Sequence, residues 1–193
     1  QAEREIEAGS PRDRDREAVP DTLDALMVRD ADTALQFGSK MQLSYNVENT
    51  QRAIGTRLSS HIVRKFGMTG LRENHISVRL RGTAGQSLGA FATQGLRLEV
   101  IGDANDYVGK GLSGGTIIVR PSAAAAFVAH ENTIIGNTVL YGATSGKLFA
   151  AGQAGERLCV RNSGATAVVE GAGTNACEYM TGGTAIILGP VGD

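Results

Sequence analysis

The stretch GNTVLYGATSGKLFAAGQAGERLCVRNSGATAVVEGAGTNACEYMTGG, residues 136–183, decides the fold because glycine recurs in it every nine or ten residues. A short strand-like segment follows each of these glycines, and the same phase extends back to Gly95. Repeats of this length cannot bury their own apolar face and are stable only when stacked. We therefore predict a structural role for the repeat glycines, which are Gly95, Gly115, Gly136, Gly146, Gly155, Gly164, Gly173 and Gly183.

The third residue after each repeat glycine is apolar in all eight segments. This column contains Leu98, Ile118, Val139, Phe149, Leu158, Ala167, Ala176 and Ile186. The first residue after the glycine is mostly polar, as the alternation of a half-buried strand requires. The pattern predicts that the whole apolar column points inward.

The segments are too short to contain a crossover helix, so they indicate coils of two or three strands wound as a parallel β-helix or solenoid. Sandwiches and meanders remain alternatives, although they rarely keep so regular a period. The predicted fold class is all-β, a parallel β-helix in the form of a single-stranded solenoid, preceded by a short α/β segment.

Three regions are predicted along the chain. Residues 1–37 are a charged linker, disordered or partly helical, with a short helix after Asp21. Residues 38–75 form a strand and then an amphipathic helix that begins near Asn49 or Thr50 and ends at Gly67. Residues 76–193 are the glycine-phased array, which we expect to be truncated at its C-terminal end because a further repeat is begun at Gly192.

Composition gives few indications of function. The net charge of −1 offers no electrostatic argument for nucleic acid or a membrane surface. No apolar run approaches the length of a membrane span, so a cytoplasmic location is expected. Cys159 and Cys177 could stack on neighbouring turns, but buried free thiols are favoured over a disulfide.

Several motifs suggest chemistry that their surroundings do not support. Gly109, Gly111 and Gly114 spell GxGxxG, but a strand and not a helix follows them. The P-loop-like ATSGK ends at Lys147 without the Ser or Thr that would bind magnesium. The three histidines, His61, His75 and His130, lack ligand spacing.

Polar residues at the predicted corners are the remaining candidates for function. Glu170 and Glu178 could flank a sugar bond, as in a β-helical polysaccharide enzyme. Side chains that satisfy turn backbone are the favoured interpretation. The corner residues are Asn105, Asp106, Tyr107, Arg161, Asn162, Ser163, Glu170, Glu178 and Tyr179.

Three long stretches resemble one known family. They are NDYVGKGLSGGTIIVRP (105–121), IIGNTVLYGATSGKLFAAGQAGERLCVRNSGATAVVEGAG (134–173) and CEYMTGG (177–183). They are similar to the C-terminal glycine-repeat domain of the glutamate synthase large chain. The upstream NTQRAIGTRLSSHIVRKFG (49–67) and GTAGQSLGAF (82–91) are similar to the entry to that domain.

The resemblance implies a right-handed β-helix that is packed between a glutamine amidotransferase domain and an FMN-binding synthase barrel. The parent enzyme makes glutamate from glutamine and 2-oxoglutarate with FMN and an iron–sulfur cluster, and a small subunit is a further partner. Because the family's active residues lie in other domains, the resemblance assigns no catalytic, cofactor or metal residue to this chain. The implied role is a non-catalytic scaffold.

Two other functions stay open at this stage. The chain could be a separate subunit with the same repeat, as in split glutamate synthases or formylmethanofuran dehydrogenase. Alternatively, it could be a β-helical carbohydrate-active or carbohydrate-binding protein. The lack of an aromatic row for sugar stacking counts against the latter.

Overall fold

The computed structural model describes residues 20–192, which form nine strands, three α-helices and one 3-10 turn. The helices are α1 (Leu23–Asp30), α2 (Asp32–Phe37) and α3 (Thr56–Phe66), and the 3-10 turn is Ala129–Glu131. The strands are β1 (Met41–Val47), β2 (Ile76–Ala84), β3 (Leu96–Ala104), β4 (Ser113–Arg120), β5 (Thr133–Ile135), β6 (Ser145–Ala150), β7 (Gln153–Ala154), β8 (Ser163–Val169) and β9 (Gly182–Ile187).

All nine strands belong to one parallel sheet. Its main path runs β1, β2, β3, β4, β6, β8, β9. The last residue of β3, Ala104, pairs with Ile135 of β5, and β5 pairs in turn with β7. Strand β3 thus pairs with β4 over most of its length and with β5 at its C-terminal end.

The segments between the strands form a second stack, which we call the turn ladder. It consists of residues 87–91, 107–111, 138–142, 157–161 and 175–179, and in each segment the first, third and fifth residues have positive φ. Backbone hydrogen bonds join successive segments: the N–H of Leu140 donates to Val108 O, and the N–H of Cys159 donates to Val139 O, both at 2.8 Å. Each rung is therefore bonded to the rungs before and after it.

Helix α3 begins later than the sequence predicts. The N–H of Ala53 donates to Gln86 O, and the N–H of Gly89 donates to Ile54 O. Residues 53–55 therefore bond to the first segment of the turn ladder, with positive φ at Ala53 and Gly55. The helix can start only at Thr56, and it ends at Phe66 before Gly67, as predicted.

The core lies between the sheet, the turn ladder and the helices. Leu98 of β3, Leu148 of β6 and Leu158 of the ladder are fully buried, and Leu58 and Ile62 of α3 join the same cluster. Branched and linear aliphatic side chains fill this space, as expected for stacked parallel strands.

The expectation of an all-β, right-handed parallel β-helix in the form of a single-stranded solenoid is wrong. The strands make one nine-stranded parallel sheet together with three α-helices, so the described residues form an α/β fold. The glycine period was misleading because not every segment that follows a repeat glycine is a strand. Three of the eight segments after the repeat glycines are turns of the ladder, NTVLY, ERLCV and TNACE, where alternating positive φ prevents an extended strand.

The prediction that the apolar column points inward is wrong for part of its length. Leu98, Val139, Leu158 and Ala167 are fully buried. Phe149 is 39% and Ile186 is 43% exposed. Pairing shifts near the glycines that open β4, β6 and β8 change the phase between glycine and strand, and a shift of one residue moves a side chain to the other face.

Candidate functional site

The repeat glycines lie where segments that are stacked on one another approach closely. A Cβ on Gly95 would lie 2.5 Å from Leu71 Cβ, and one on Gly146 would lie 2.5 Å from Gly115 O. A Cβ on Gly164 would collide with Thr144 O. The others face similar neighbours: Gly115 faces Ala92, Gly136 faces Asp106, Gly155 faces Asn137, Gly173 faces Glu156 and Gly183 faces Ala165. Only a residue without a Cβ fits such contacts.

Polar corner residues satisfy the backbone of the turns. Asp106 Oδ1 accepts from the N–H of Asn137 at 2.8 Å, and Asn137 Oδ1 accepts from the N–H of Glu156 at 2.9 Å. Asn162 is fully buried, and its amide bonds both the N–H and the O of Ala165 at 2.9 Å. These side chains bond the turns, as the favoured interpretation of the corners predicts.

The histidines occupy separate places. His61 belongs to α3 and lines a cavity beside α1 and α2, His75 Nε2 contacts Gly38 O, and the carbonyl of His130 accepts from Gln153 Nε2 at 2.8 Å. Among residues 20–192, no three His, Cys, Asp or Glu side chains come together in a way that could hold a metal ion.

The two glutamates considered for sugar cleavage have different surroundings. Glu178 accepts from Asn175 Nδ2 at 2.9 Å on the ladder, whereas Glu170 is half-buried after β8 and its Oε2 is buried with no hydrogen-bond partner among the described residues. Of the GxGxxG residues, Gly109 and Gly111 belong to the ladder and Gly114 lies in β4. No helix follows them, so nothing here resembles a pyrophosphate site.

Cys159 and Cys177 occupy the same position in successive rungs, as the spacing predicts, and both thiols are free. The N–H of Cys177 donates to Leu158 O at 2.7 Å. Burial raises the pKa of Cys159 to about 12 and also raises the pKa of Cys177. Both side chains are therefore protonated at neutral pH and are poor nucleophiles.

The outward face of the sheet carries an apolar column, which we call the outer stripe. Ile118 pairs with Phe149, Phe149 with Val168, and Val168 with Ile186 across four neighbouring strands. Phe149 and Ile186 are exposed, and Ile118 and Val168 are half-buried. Exposed apolar side chains that lie together on a surface are candidates for an interaction site.

The outer face of the turn ladder, the ladder face, carries aromatic and cationic side chains. Lys110 Nζ lies 6.0 Å from the ring centre of Phe91 and 5.9 Å from that of Tyr107. The guanidinium of Arg161 lies 5.8 Å from the ring of Tyr179, which is 76% exposed. Tyrosine and arginine are enriched at binding hot spots. Part of this face borders a polar cavity of about 630 Å³.

A stacked, glycine-spaced array of this kind defines a class of repeat domain, and comparison places the chain within it. A family model described as the GXGXG motif matches residues 24–193, so the chain belongs to the GXGXG family.

The relatives confirm the resemblance to the glutamate synthase large chain. The chain is 73% identical over 174 residues to the glutamate synthase (NADPH) large chain of Azospirillum brasilense. It is 50% identical over 169 residues to ferredoxin-dependent glutamate synthase 2 of Synechocystis, and 50% identical over 159 residues to the glutamate synthase (NADPH) large chain of Bacillus subtilis. These matches cover 90%, 88% and 82% of this chain, but only 12%, 11% and 10% of the relatives.

Sequence reasoning missed the outer stripe because it assigned the whole apolar column to the core. A usable signal was present at its two clearest positions. In TIIVR and KLFAA, apolar side chains also occupy the positions next to Ile118 and Phe149, so both faces of the strand are apolar. Apolar side chains on both faces predict a strand covered on both sides.

No helix of residues 20–192 has the length and apolar character to cross a bilayer.

Proposed function

We propose that this chain is a scaffold domain of a glutamate synthase, the enzyme that makes glutamate from glutamine and 2-oxoglutarate. In this proposal it holds a glutamine amidotransferase domain and an FMN-binding synthase domain, which belong to the same chain or complex. A glutamate synthase small subunit is a further partner. In the same proposal the parent enzyme carries FMN and an iron–sulfur cluster, and the residues of this chain bind neither cofactor. The proposed location is the cytoplasm.

The observation that carries the proposal is the outer stripe. Phe149 and Ile186 project from strands whose backbones are paired on the sheet, so their positions are fixed relative to one another. A rigid apolar surface binds a partner without a large loss of conformational entropy. The family relationship supplies the class of partner, since every relative named above is a glutamate synthase of much greater length.

Rigidity matters for the proposed activity because ammonia released at one active site has to reach another without escaping to solvent. A domain with backbone bonds along both the sheet and the ladder resists the bending that would open a gap between its neighbours. The turn ladder adds a second hydrogen-bonded stack to that of the sheet. The proposal also includes the predicted division of the chain into a linker (1–37), a strand and helix (38–75) and the glycine-phased array (76–193).

The test uses the complete glutamate synthase that contains this chain. Phe149→Asp places a charge on the outer stripe. Phe127→Asp is the control, because it places the same charge at a 48% exposed position outside the strands. We expect F149D to release free ammonia from glutamine while glutamate formation from 2-oxoglutarate falls, and we expect F127D to stay coupled. Equal coupling in both variants would show that the stripe holds no catalytic domain.

Intact mass separates the proposal from the separate-subunit alternative. An antibody to residues 136–183, applied to an extract of the source cells, should detect a polypeptide several times larger than the 20.1 kDa of this chain. A product near 20.1 kDa would assign the chain to a separate subunit of a split enzyme.

A further inference from the structure

The outward face of the sheet changes character between its two halves. The column that forms the outer stripe in β4, β6, β8 and β9 continues through β3 and β2 as Glu99 and Arg79, which pair directly across the two strands. Arg97 lies two residues from Glu99 on the same strand and face, and Arg120 reaches Glu99 from β4. Three arginines thus surround one carboxylate.

Both oxygens of the Glu99 carboxylate are in contact with arginine. Its Oε1 accepts from Arg120 Nε at 3.0 Å and lies 2.9 Å from Arg120 Nη2. Its Oε2 lies 3.2 Å from Arg97 Nη1 and 3.6 Å from Arg79 Nη2. Although burial acts to raise the pKa of Glu99, the hydrogen bond from Arg120 and the three positive charges hold it below the ordinary value. The carboxylate is therefore ionised at neutral pH.

The arginines are not saturated. Three guanidinium groups and one carboxylate leave a surplus of two positive charges, 3 − 1 = 2. A guanidinium has five N–H donors, and Arg79 and Arg97 each direct one nitrogen at Glu99. Their remaining donors are available to another acceptor, and their side chains are 51% and 28% exposed.

A cavity of about 270 Å³ lies against these donors. Arg79 and Arg97 line it together with Ser44, Ser77 and Gln42, which add two hydroxyls and an amide, and Glu99 is the only acid among the lining residues. Arginine forks with nearby hydroxyl and amide donors match the planar carboxylate and the tetrahedral phosphate. The cavity is large enough for such a group and its immediate carbon atoms.

We propose that this cavity between β1, β2 and β3 is an oxyanion site, in which Arg79 and Arg97 bind a carboxylate or phosphate group. Glu99 holds one nitrogen of each of these two arginines and so competes with the anion for their donors, and Arg120 takes up one oxygen of that carboxylate. The anion is either a small molecule or an acidic side chain of a protein partner, and both present the same oxygen atoms. The site does not depend on the proposed scaffold function.

The test follows the arginine Nε–Hε resonances of the isotopically labelled intact chain at low ionic strength during titration with inorganic phosphate, glutarate or hexaglutamate. We expect saturable shifts at Arg79 and Arg97 with a dissociation constant in the millimolar range or below. If phosphate or glutarate binds, the site accepts a free anion. If only hexaglutamate binds, the ligand is an acidic protein segment.

Three variants at the site and one control test the proposal. Arg79→Gln and Arg97→Gln should each weaken binding at least tenfold, whereas Arg52→Gln removes an exposed positive charge elsewhere and should leave it unchanged. Glu99→Gln removes the competing carboxylate and should strengthen binding severalfold, a gain that a misfolded variant would not show. The proposal is overturned if no probe gives saturable shifts, or if R52Q weakens binding as much as R79Q.

Discussion

Asp24 Oδ2 lies 2.6 Å from the backbone nitrogen of Arg57, and Asp24 Oδ1 lies 3.1 Å from that of Gly55. A carboxylate of α1 therefore caps the first turn of α3, whose own cap residue, Gly55, has no side chain to do so. Burial raises the pKa of Asp24, although these N–H bonds act to lower it. This contact joins the two helices at the first rung of the turn ladder.

Replacing Asp24 should destabilise the chain. In Asp24→Ala the N–H groups of Gly55 and Arg57 lose their acceptor, and the free energy of unfolding should fall by about 1–2 kcal/mol. Urea unfolding followed by circular dichroism measures the change. Asp21→Ala removes only an exposed pair with Arg29 and should cost less than about 0.5 kcal/mol. Equal losses in the two variants would contradict the capping role.

Adjacent residues of β6 should respond very differently to truncation. Leu148 is fully buried and Phe149 points outward. Leu148→Ala should lower the free energy of unfolding by about 2–5 kcal/mol, because it leaves a cavity in the core. Phe149→Ala should change it by less than about 1 kcal/mol. Thermal or urea unfolding of both variants tests the strand register, which is refuted if the larger loss occurs at Phe149.

These two residues show what the sequence could and could not predict. The glycine period correctly indicated stacked units and a parallel arrangement, because close backbone contacts exclude a Cβ whatever the strands do. The period could not show which segments extend and which turn. That choice depends on positive φ at residues such as Leu140 and Cys159, which ordinary propensities disfavour and only the stacked neighbours impose.

The site could be predicted even less well. The apolar character of Phe149 is evident from the sequence. The face of the sheet on which its side chain lies depends on pairing shifts near the glycines, and composition does not indicate these shifts. The arginines around Glu99 are 2 to 21 residues from it in sequence, and only the register of β2, β3 and β4 brings them together.

Substitutions at two glycines should distinguish the cost of a steric clash from the cost of a positive φ. Gly164→Ala places a Cβ against Thr144 O and should cost about 3 kcal/mol. Gly142 has a φ of 61° but nothing within 4 Å of the Cβ position, so Gly142→Ala should cost only about 1 kcal/mol. Denaturant midpoints of the two variants give the comparison. A larger loss at Gly142 would show that the backbone at Gly164 does not closely approach Thr144 O.

Glu99 should make stability depend on pH at the acid side. Its pKa in the folded chain is below the ordinary value of 4.5, so its contribution is complete above that value and is lost as the pH falls through the folded pKa. At pH 7, Glu99→Gln should cost about 1 kcal/mol, since solvent screens the partly exposed arginines.

The difference between wild type and E99Q should shrink as the pH is lowered below about 4.5, because Glu99 is protonated first in the unfolded state and, below its lowered folded pKa, in the folded state as well. Urea unfolding at a series of pH values measures it. A difference that stays constant down to pH 2 would mean that the charge of Glu99 contributes nothing.

The two thiols should differ in reactivity. Cys159 is fully buried and its pKa is raised to about 12, whereas Cys177 is half-buried. At pH 8 iodoacetamide should modify Cys177 first, and both residues more slowly than free cysteine. Mass spectrometry of the alkylated chain gives the rates, with urea-unfolded chain as the control. Faster modification of Cys159 would contradict its position in the core.

The turn ladder restricts where this chain can change in length. Successive rungs begin 18 to 20 residues apart at Ser87, Tyr107, Thr138, Arg157 and Asn175, except for the 31 residues from Tyr107 to Thr138. The surplus lies in residues 121–132, which leave the sheet after β4 and return to it at β5. The other connections between β2 and β9, apart from residues 151–152, each contain a rung that is bonded to its neighbours, so gain or loss of a few residues there would misalign the strands that follow. Evolution and protein engineering alike therefore have a permissive insertion point at residues 121–132, whereas a change of length in a rung-bearing connection would have to add or remove a whole rung with its strand.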